Sequence, residues 1–150
     1  MSRAFAAVAA TGLIALLSLA IAATRPPLSP ASAPLAAWLE AHRLTYGIAG
    51  YWDASIVTLQ SGHRVQIRAV DLHRNRDGHP GLKIYAPGWE TNALWYNASR
   101  YDATFAVADS HGRYPAADFE HFLGKPAATY RVASWLVLVY RANQIGRAHV

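Results

Sequence analysis

The sequence predicts one N-terminal transmembrane helix followed by a small α/β domain with a mixed sheet of about four to five strands. Three observations lead to this fold class. An uncharged apolar run opens the chain, a proline-rich stretch follows it, and helical and alternating apolar patterns then succeed one another. We therefore expect a transmembrane helix at 1–24, a linker at 25–34 and an extracytoplasmic α/β domain at 35–144.

The apolar run extends from Ala4 to Thr24 without a charged residue, between Arg3 and Arg25. At about 1.5 Å per residue, a helix of this length reaches roughly 30 Å, the thickness of the hydrocarbon core of a bilayer. A cleaved secretory signal is the alternative, with its cleavage site at 20–22, but the apolar core of a signal is usually shorter. The length favours a retained helix.

The linker and the first helix are indicated by composition and spacing. The linker, RPPLSPASAP, is rich in Pro, Ser and Ala and is typical of a stiff, extended spacer. Leu35, Trp38 and Leu39 recur at three- and four-residue spacing, which predicts a helix to about residue 43. Ser32 is expected to cap this helix, with Pro34 in its first turn.

The middle of the domain is predicted to alternate between strand and helix. A short strand is expected at 45–49, and the residues that follow Gly50 favour a helix at 52–60. Residues 64–70, RVQIRAV, alternate as in a half-buried strand. Residues 71–81 carry Asp-Gly and Pro-Gly pairs, which predict a polar loop.

The last part of the domain contains three strand signals and one helix signal. The buried-type run TFAVA predicts a strand at 104–108. A short helix is expected at 115–123, and Gly124 would end it. Two apolar runs at 129–132 and 135–140 are typical of a hairpin.

Composition excludes several classes of function. The net charge is +5 and the pI is near 9.8, but the basic residues are dispersed and form no run, so nucleic acid is not an expected partner. Anionic lipid headgroups suit this charge better. The chain has no cysteine, which excludes disulfides and thiolate metal sites.

The last six residues, 145–150, match the translation of a common sequencing-adapter string. We therefore expect them to be a non-native tail, with a genuine polar C-terminus as the alternative. His149 lies in this tail, and we assign it to no site.

A first candidate site lies where the strand at 45–49 turns into the next helix. Trp52 and Asp53 follow this turn, and ligands of α/β folds favour the carboxyl ends of strands and the N-termini of helices. The alternative is that Trp52 belongs to the core and Asp53 caps the helix.

A second candidate site is an aromatic-rich stretch that contains Trp89, Trp95 and Tyr96. Aromatic rings suit sugars, lipid headgroups or the membrane–water interface, and ordinary loop packing is the alternative. Arg68 and Arg131 lie on predicted strands and could contact a phosphate, with solvated strand faces as the alternative.

No set of residues predicts catalysis. His73 and His79 share a loop with Asp71 and Asp77, but their spacing is not that of a known metal site, and a solvated loop is favoured. No nucleophile stands out beside a base. The sequence therefore predicts no catalytic residue, no cofactor and no metal.

A longer pattern covers most of the domain, from about Leu35 to Asn143. Its pieces are LTYGIAGYWDASIVTLQSG at 44–62, RVQIR at 64–68, Trp89, Trp95-Tyr96, GKPA at 124–127 and TYRV at 129–132. This series resembles the C-terminal soluble domain of polytopic bacterial membrane glycosyltransferases related to dolichyl-phosphate-mannose mannosyltransferases.

The resemblance implies an accessory, substrate-orienting domain on the extracytoplasmic side of the bacterial inner membrane. The acidic catalytic residues of such transferases lie on loops among earlier helices, which this chain lacks, so we expect a non-catalytic fragment. The implied partners are membrane lipid and a polyprenyl-phosphate-linked sugar. Trp52, Trp89, Trp95 and Tyr96 would then contact glycan or headgroup, and Arg68 a phosphate. The alternative is a stand-alone membrane-anchored or secreted module that binds glycans or lipid headgroups.

Overall fold

The computed structural model describes residues 12–17, 31–72, 84–85, 91–109 and 112–145, with the backbone alone at 84–85. The chain divides into two units, Met1–Pro30 and Ala31–Val150. In the first unit, residues 12–17 are helical, and the rest of the predicted span lies outside the described residues. Among the described residues, no helix has the length and apolar character needed to cross a membrane. The transmembrane helix stays a prediction from the sequence.

The second unit contains the α/β domain. Its helices are α1 (Ala33–Ala41), α2 (Tyr51–Gln60) and α3 (Ala116–Leu123), with a short 3-10 helix at Ala93–Tyr96. Its strands are β1 (Tyr46–Ala49), β2 (Gln66–Ala69), β3 (Asp71–Leu72), β4 (Ile84–Tyr85), β5 (Phe105–Asp109), β6 (Ala128–Val132) and β7 (Trp135–Val139). The predicted helices and the predicted strands of the main sheet agree with these bounds to within two residues.

Five strands form one mixed sheet in the order β2-β1-β5-β7-β6. β1 runs parallel to both β2 and β5, whereas β7 is antiparallel to β5 and to β6. The predicted α/β class and mixed sheet are therefore confirmed. β3 and β4 form a separate antiparallel pair.

The two faces of the sheet are covered by different elements because side chains alternate along each strand. On one face, Leu35 and Leu39 of α1 and Val57 of α2 pack against Ile67 and Phe105. On the other face, the core includes residues of the 3-10 helix and α3, namely Tyr96, Phe119 and Leu123, together with Ile48, Ala106 and Leu138 of the sheet. Every strand of the main sheet, including β6 through Val132, contributes at least one buried side chain to a core shared with the helices, so the sheet positions all three helices.

Two local predictions are wrong and two are confirmed. Pro34 lies in the first turn of α1, and Gly124 ends α3 with a φ of 83°. The Ser32 hydroxyl does not cap α1, because it donates to Gln60 Oε1 at 2.9 Å. The polar loop predicted from residue 71 begins with the strand β3, and residues 73–83 lie outside the described part of the chain.

The predicted non-native tail begins at a buried position. Ile145 is 1% exposed and belongs to the core on the α3 face of the sheet. Residues 146–150 lie outside the described residues.

Candidate functional site

A cleft of about 400 Å³ opens at one edge of the sheet. It is lined by Gly50, Tyr51, Trp52, Asp53, Asp71, Asp109, Arg113 and Tyr114, and we call this set the cleft. Its volume lies in the range of about 300–1,000 Å³ that is typical of small-molecule sites.

Strand order explains why the cleft lies where it does. β1 is followed by α2 and then by β2 on one side of it, whereas β5 lies on its other side. All three strands are parallel, so their carboxyl ends meet at the same edge. In open α/β sheets, such a reversal of strand order leaves a crevice in which ligands bind.

At two positions near the cleft, the backbone approaches a neighbouring side chain so closely that only glycine fits. A Cβ added to Gly50 would overlap the ring of Tyr114, and one added to Gly112 would overlap the carboxylate of Asp109. The backbone N–H of Asp109 donates to the Tyr114 carbonyl oxygen at 3.1 Å, which ties Tyr114 to the end of β5. Together with the close approach of the Tyr114 ring to Gly50, this bond holds Tyr114 beside the start of α2.

Asp53 is held by an indole. Trp135 Nε1 donates to Asp53 Oδ1 at 3.0 Å, and Gly50 rather than Asp53 occupies the N-cap of α2. Burial raises the pKa of Asp53 above its ordinary value of 3.8, the bond from Trp135 opposes this shift, and the nearby Asp109 carboxylate adds to it. The carboxylate thus lies in a partly desolvated position beside a second negative charge.

Asp71 also lines the cleft. Its Oδ1 accepts from the Tyr114 hydroxyl at 3.2 Å and from the Arg113 guanidinium at 3.4 Å. The guanidinium also lies 5.9 Å from the centre of the Tyr114 ring. These contacts fix the Tyr114 side chain between Gly50 and the Asp71 carboxylate.

The chemistry of the cleft favours a neutral ligand rich in hydroxyl groups. Among the described residues that line the cleft, three carboxylates face one guanidinium, so these side chains together are net negative and disfavour phosphate. Carboxylates accept hydrogen bonds from hydroxyl groups. Trp52 supplies an exposed aromatic face, with 74% of its surface accessible. Among the described residues, no group of three or more His, Cys, Asp or Glu side chains could hold a metal ion.

Arg68 occupies a different place. Its guanidinium lies 4.3 Å from the centre of the Trp95 ring, and its Nε donates to the Tyr46 hydroxyl at 3.0 Å. Another of its nitrogens donates to Gln66 Oε1 at 2.7 Å. The Tyr46 hydroxyl in turn donates to the Trp95 carbonyl oxygen at 2.7 Å. We call Tyr46, Arg68, Trp95 and Tyr96 the aromatic cluster.

The aromatic cluster ties the 3-10 helix to the sheet. Tyr96 is buried, and its hydroxyl donates to the carbonyl oxygen of Ala69. Burial is the largest cause that raises the pKa values of both Tyr96 and Tyr46. In the structure, Arg68, Trp95 and Tyr96 therefore make packing contacts within the domain.

The predicted site residues fall in separate places. Trp52 and Asp53 line the cleft, whereas Arg68, Trp95 and Tyr96 belong to the aromatic cluster. Trp89 lies outside the described residues. Arg131 does not meet Arg68, because their strands are the two edges of the sheet, roughly 19 Å apart at about 4.8 Å per strand.

Sequence reasoning missed half of the residues that line the cleft. Asp109, Arg113 and Tyr114 carried no recognised motif, and Asp71 was considered only for a metal loop. The available signal was a charged residue directly after a buried strand, as in FAVAD. That signal does not indicate which strand ends are neighbours.

Comparison of the chain with protein-family models, with curated proteins and with solved structures finds no match.

Proposed function

We propose that this chain is the C-terminal, extracytoplasmic accessory domain of a membrane-embedded glycosyltransferase that uses a lipid-linked sugar, and that the cleft orients the sugar. The observation that carries the proposal is an exposed tryptophan beside carboxylates at the strand-order reversal of the sheet. The aromatic face of Trp52 provides apolar contact for a sugar ring. The carboxylates of Asp53 and Asp109 accept hydrogen bonds from the hydroxyl groups of that sugar. The sequence pattern between Leu35 and Asn143 gives the glycosyltransferase context.

The electrostatics of the cleft define which part of a lipid-linked sugar it would hold. A net negative cleft repels the phosphate of a polyprenyl-phosphate carrier and accepts the neutral sugar. Arg113 is already engaged by Asp71, so it supplies little net attraction for an anion. The phosphate would therefore lie outside the cleft.

The binding test uses the full chain in detergent micelles and isothermal titration with neutral mannose-, glucose- and galactose-terminated oligosaccharides. We expect at least one to bind, and we expect its 6-phosphorylated counterpart to bind more weakly. Trp52→Ala should weaken binding by about tenfold, because the aromatic contact is lost, and Trp52→Phe should retain part of it. Leu94→Ala is the control, because Leu94 is exposed and lies outside the cleft.

Two results would contradict the proposed sugar site. One is the absence of binding to every neutral oligosaccharide. The other is equal affinity of the wild type and Trp52→Ala for a glycan that does bind.

The glycosyltransferase context needs a separate test. A continuous read of the gene through both ends should show further apolar spans in frame upstream. A stop codon close upstream would instead favour the stand-alone binding module, in which the same cleft would act without an attached transferase.

A further inference from the structure

The exposed side of α2 is apolar. Trp52, Ile56 and Leu59 are 74%, 41% and 68% exposed, and the other residues of this helix are buried or half-buried. Their spacing of four and three residues places them in one row along the helix. A solvent-facing helix side normally carries charged and polar residues, so this row, which we call the α2 stripe, has the opposite character.

The neighbouring helix adds no charge to this surface. The exposed residues of α1 are Pro34, Ala37 and Ala41. Each of the two helices has one charged side chain, and both are engaged. Glu40 pairs with Arg64 at 2.9 Å, and Asp53 accepts from Trp135.

Basic groups lie beyond one end of the α2 stripe. α1 is followed by His42 and Arg43, and α2 is followed by His63 and Arg64, all exposed. The Glu40–Arg64 pair shows that these two turns are adjacent. Glu40 offsets the charge of Arg64, so Arg43 supplies the net positive charge of this edge. An apolar stripe beside positive charge is the pattern of surfaces that lie on anionic membranes.

The sequence outside the domain favours a bilayer as the partner of this surface. The uncharged stretch 4–24 ends eight residues before α1. The sequence predicts a membrane-spanning helix for that stretch, so the same chain carries a second, independent signal for a bilayer. A second copy is a poorer partner, because stable protein interfaces use about 20–30 residues a side and the α2 stripe has three bulky ones.

We propose that the α2 stripe docks on the bilayer, with Ile56 and Leu59 among the lipid chains and Trp52 at the headgroup level, where tryptophan concentrates. Trp52 also lines the cleft, so docking opens the cleft at the membrane surface, where the sugar of a lipid-linked donor is found. This proposal rests on the proposed function for its location, but the docking surface is separate from the sugar contacts.

The test exploits the absence of cysteine from the chain. Leu59→Cys and Ile56→Cys, each carrying a nitroxide, are reconstituted as full chains into vesicles of phosphatidylcholine and phosphatidylglycerol. Electron paramagnetic resonance then compares collisions with oxygen, which partitions into lipid, and with a water-soluble nickel complex. We expect both labels to favour oxygen, whereas a label at Ser99→Cys, an exposed position outside the helix layer, favours the nickel complex.

The outcomes separate docking from the alternatives. Equal preference at Leu59→Cys and Ser99→Cys overturns the proposal. Spin–spin broadening that grows with protein density, with the labels shielded from both reagents, assigns the stripe to a second copy and also overturns it. Oligosaccharide binding by Leu59→Cys in micelles reports on the cleft alone, because Leu59 does not line it.

Discussion

Asp53 carries a stability cost at neutral pH. Burial raises the pKa of this carboxyl, so the folded state binds its proton more tightly than the unfolded state does. The associated stabilisation is full below the unfolded pKa and is lost as the pH rises through the folded pKa. At neutral pH the ionised, half-buried side chain therefore costs stability.

Asp53→Asn should remove that cost and keep the acceptor for Trp135. We expect the variant to gain unfolding free energy relative to the wild type as the pH rises from about 3 to about 7, by less than about 1 kcal/mol because solvent screens a half-buried group. Urea unfolding across this pH range measures the difference. Asp102→Asn, at an exposed carboxyl, controls for charge, and a deficit that is constant with pH would contradict this explanation.

Arg68 has the character of a packing residue. It combines a contact with the Trp95 ring and hydrogen bonds to Tyr46 and Gln66 in a partly buried position. Arg64, by contrast, pairs with Glu40 while its side chain is 67% exposed.

Arg68→Ala should lower the free energy of unfolding by about 2 kcal/mol, the combined size of a cation–π contact and a partly buried hydrogen bond. Arg64→Ala is the matched control and should change little, because exposed ion pairs contribute little. Denaturant unfolding compares the two variants. If Arg68→Ala were as stable as Arg64→Ala, Arg68 would be available for a ligand such as phosphate.

At the scale of elements, β1 depends on a missing side chain. Gly47 pairs with Phe105 of β5, and a Cβ at residue 47 would lie 2.5 Å from atoms of the Phe105 ring. The ring is fully buried in the core between the sheet and helices α1 and α2. Glycine in a strand interior often marks such a close approach.

Gly47→Ala should therefore destabilise the domain by about 1–3 kcal/mol through overpacking. Phe105→Leu in the same chain should relieve part of that loss, since the smaller side chain leaves room for the methyl group. A double-mutant cycle of thermal or urea unfolding measures this coupling. Additive losses would show that the two positions do not clash.

The helices show how far local patterns reach. The spacing of Leu35 and Leu39 predicted α1 because these side chains face the sheet. The β-branched residues at 56–58 have low helix propensity, yet they lie within α2, where Val57 packs in the core and Ile56 is exposed. Tertiary packing overrides intrinsic propensity at such positions.

At the scale of the whole molecule, the parallel arrangement of β2, β1 and β5 creates the cleft. It gathers side chains that are far apart in sequence, such as Asp53, Asp71 and Asp109, at one edge of the sheet. Trp52 both lines the cleft and belongs to the α2 stripe, so the apolar side of α2 lies next to that edge. The two proposed contacts, with sugar and with lipid, are thereby adjacent on one surface.

The α/β class, the positions of the three α-helices and of the five strands of the main sheet, and the candidate turn at Trp52 and Asp53 follow from the sequence alone, because apolar periodicity and turn residues are local signals. The strand order, and with it the meeting of Asp71, Asp109, Arg113 and Tyr114 with that turn, is seen only in the folded domain. Strand order depends on packing between segments distant in the chain, which no local pattern encodes. For the same reason, the contact between Arg68 and the Trp95 ring is seen only in the fold, whereas their role as ligand contacts stays a prediction.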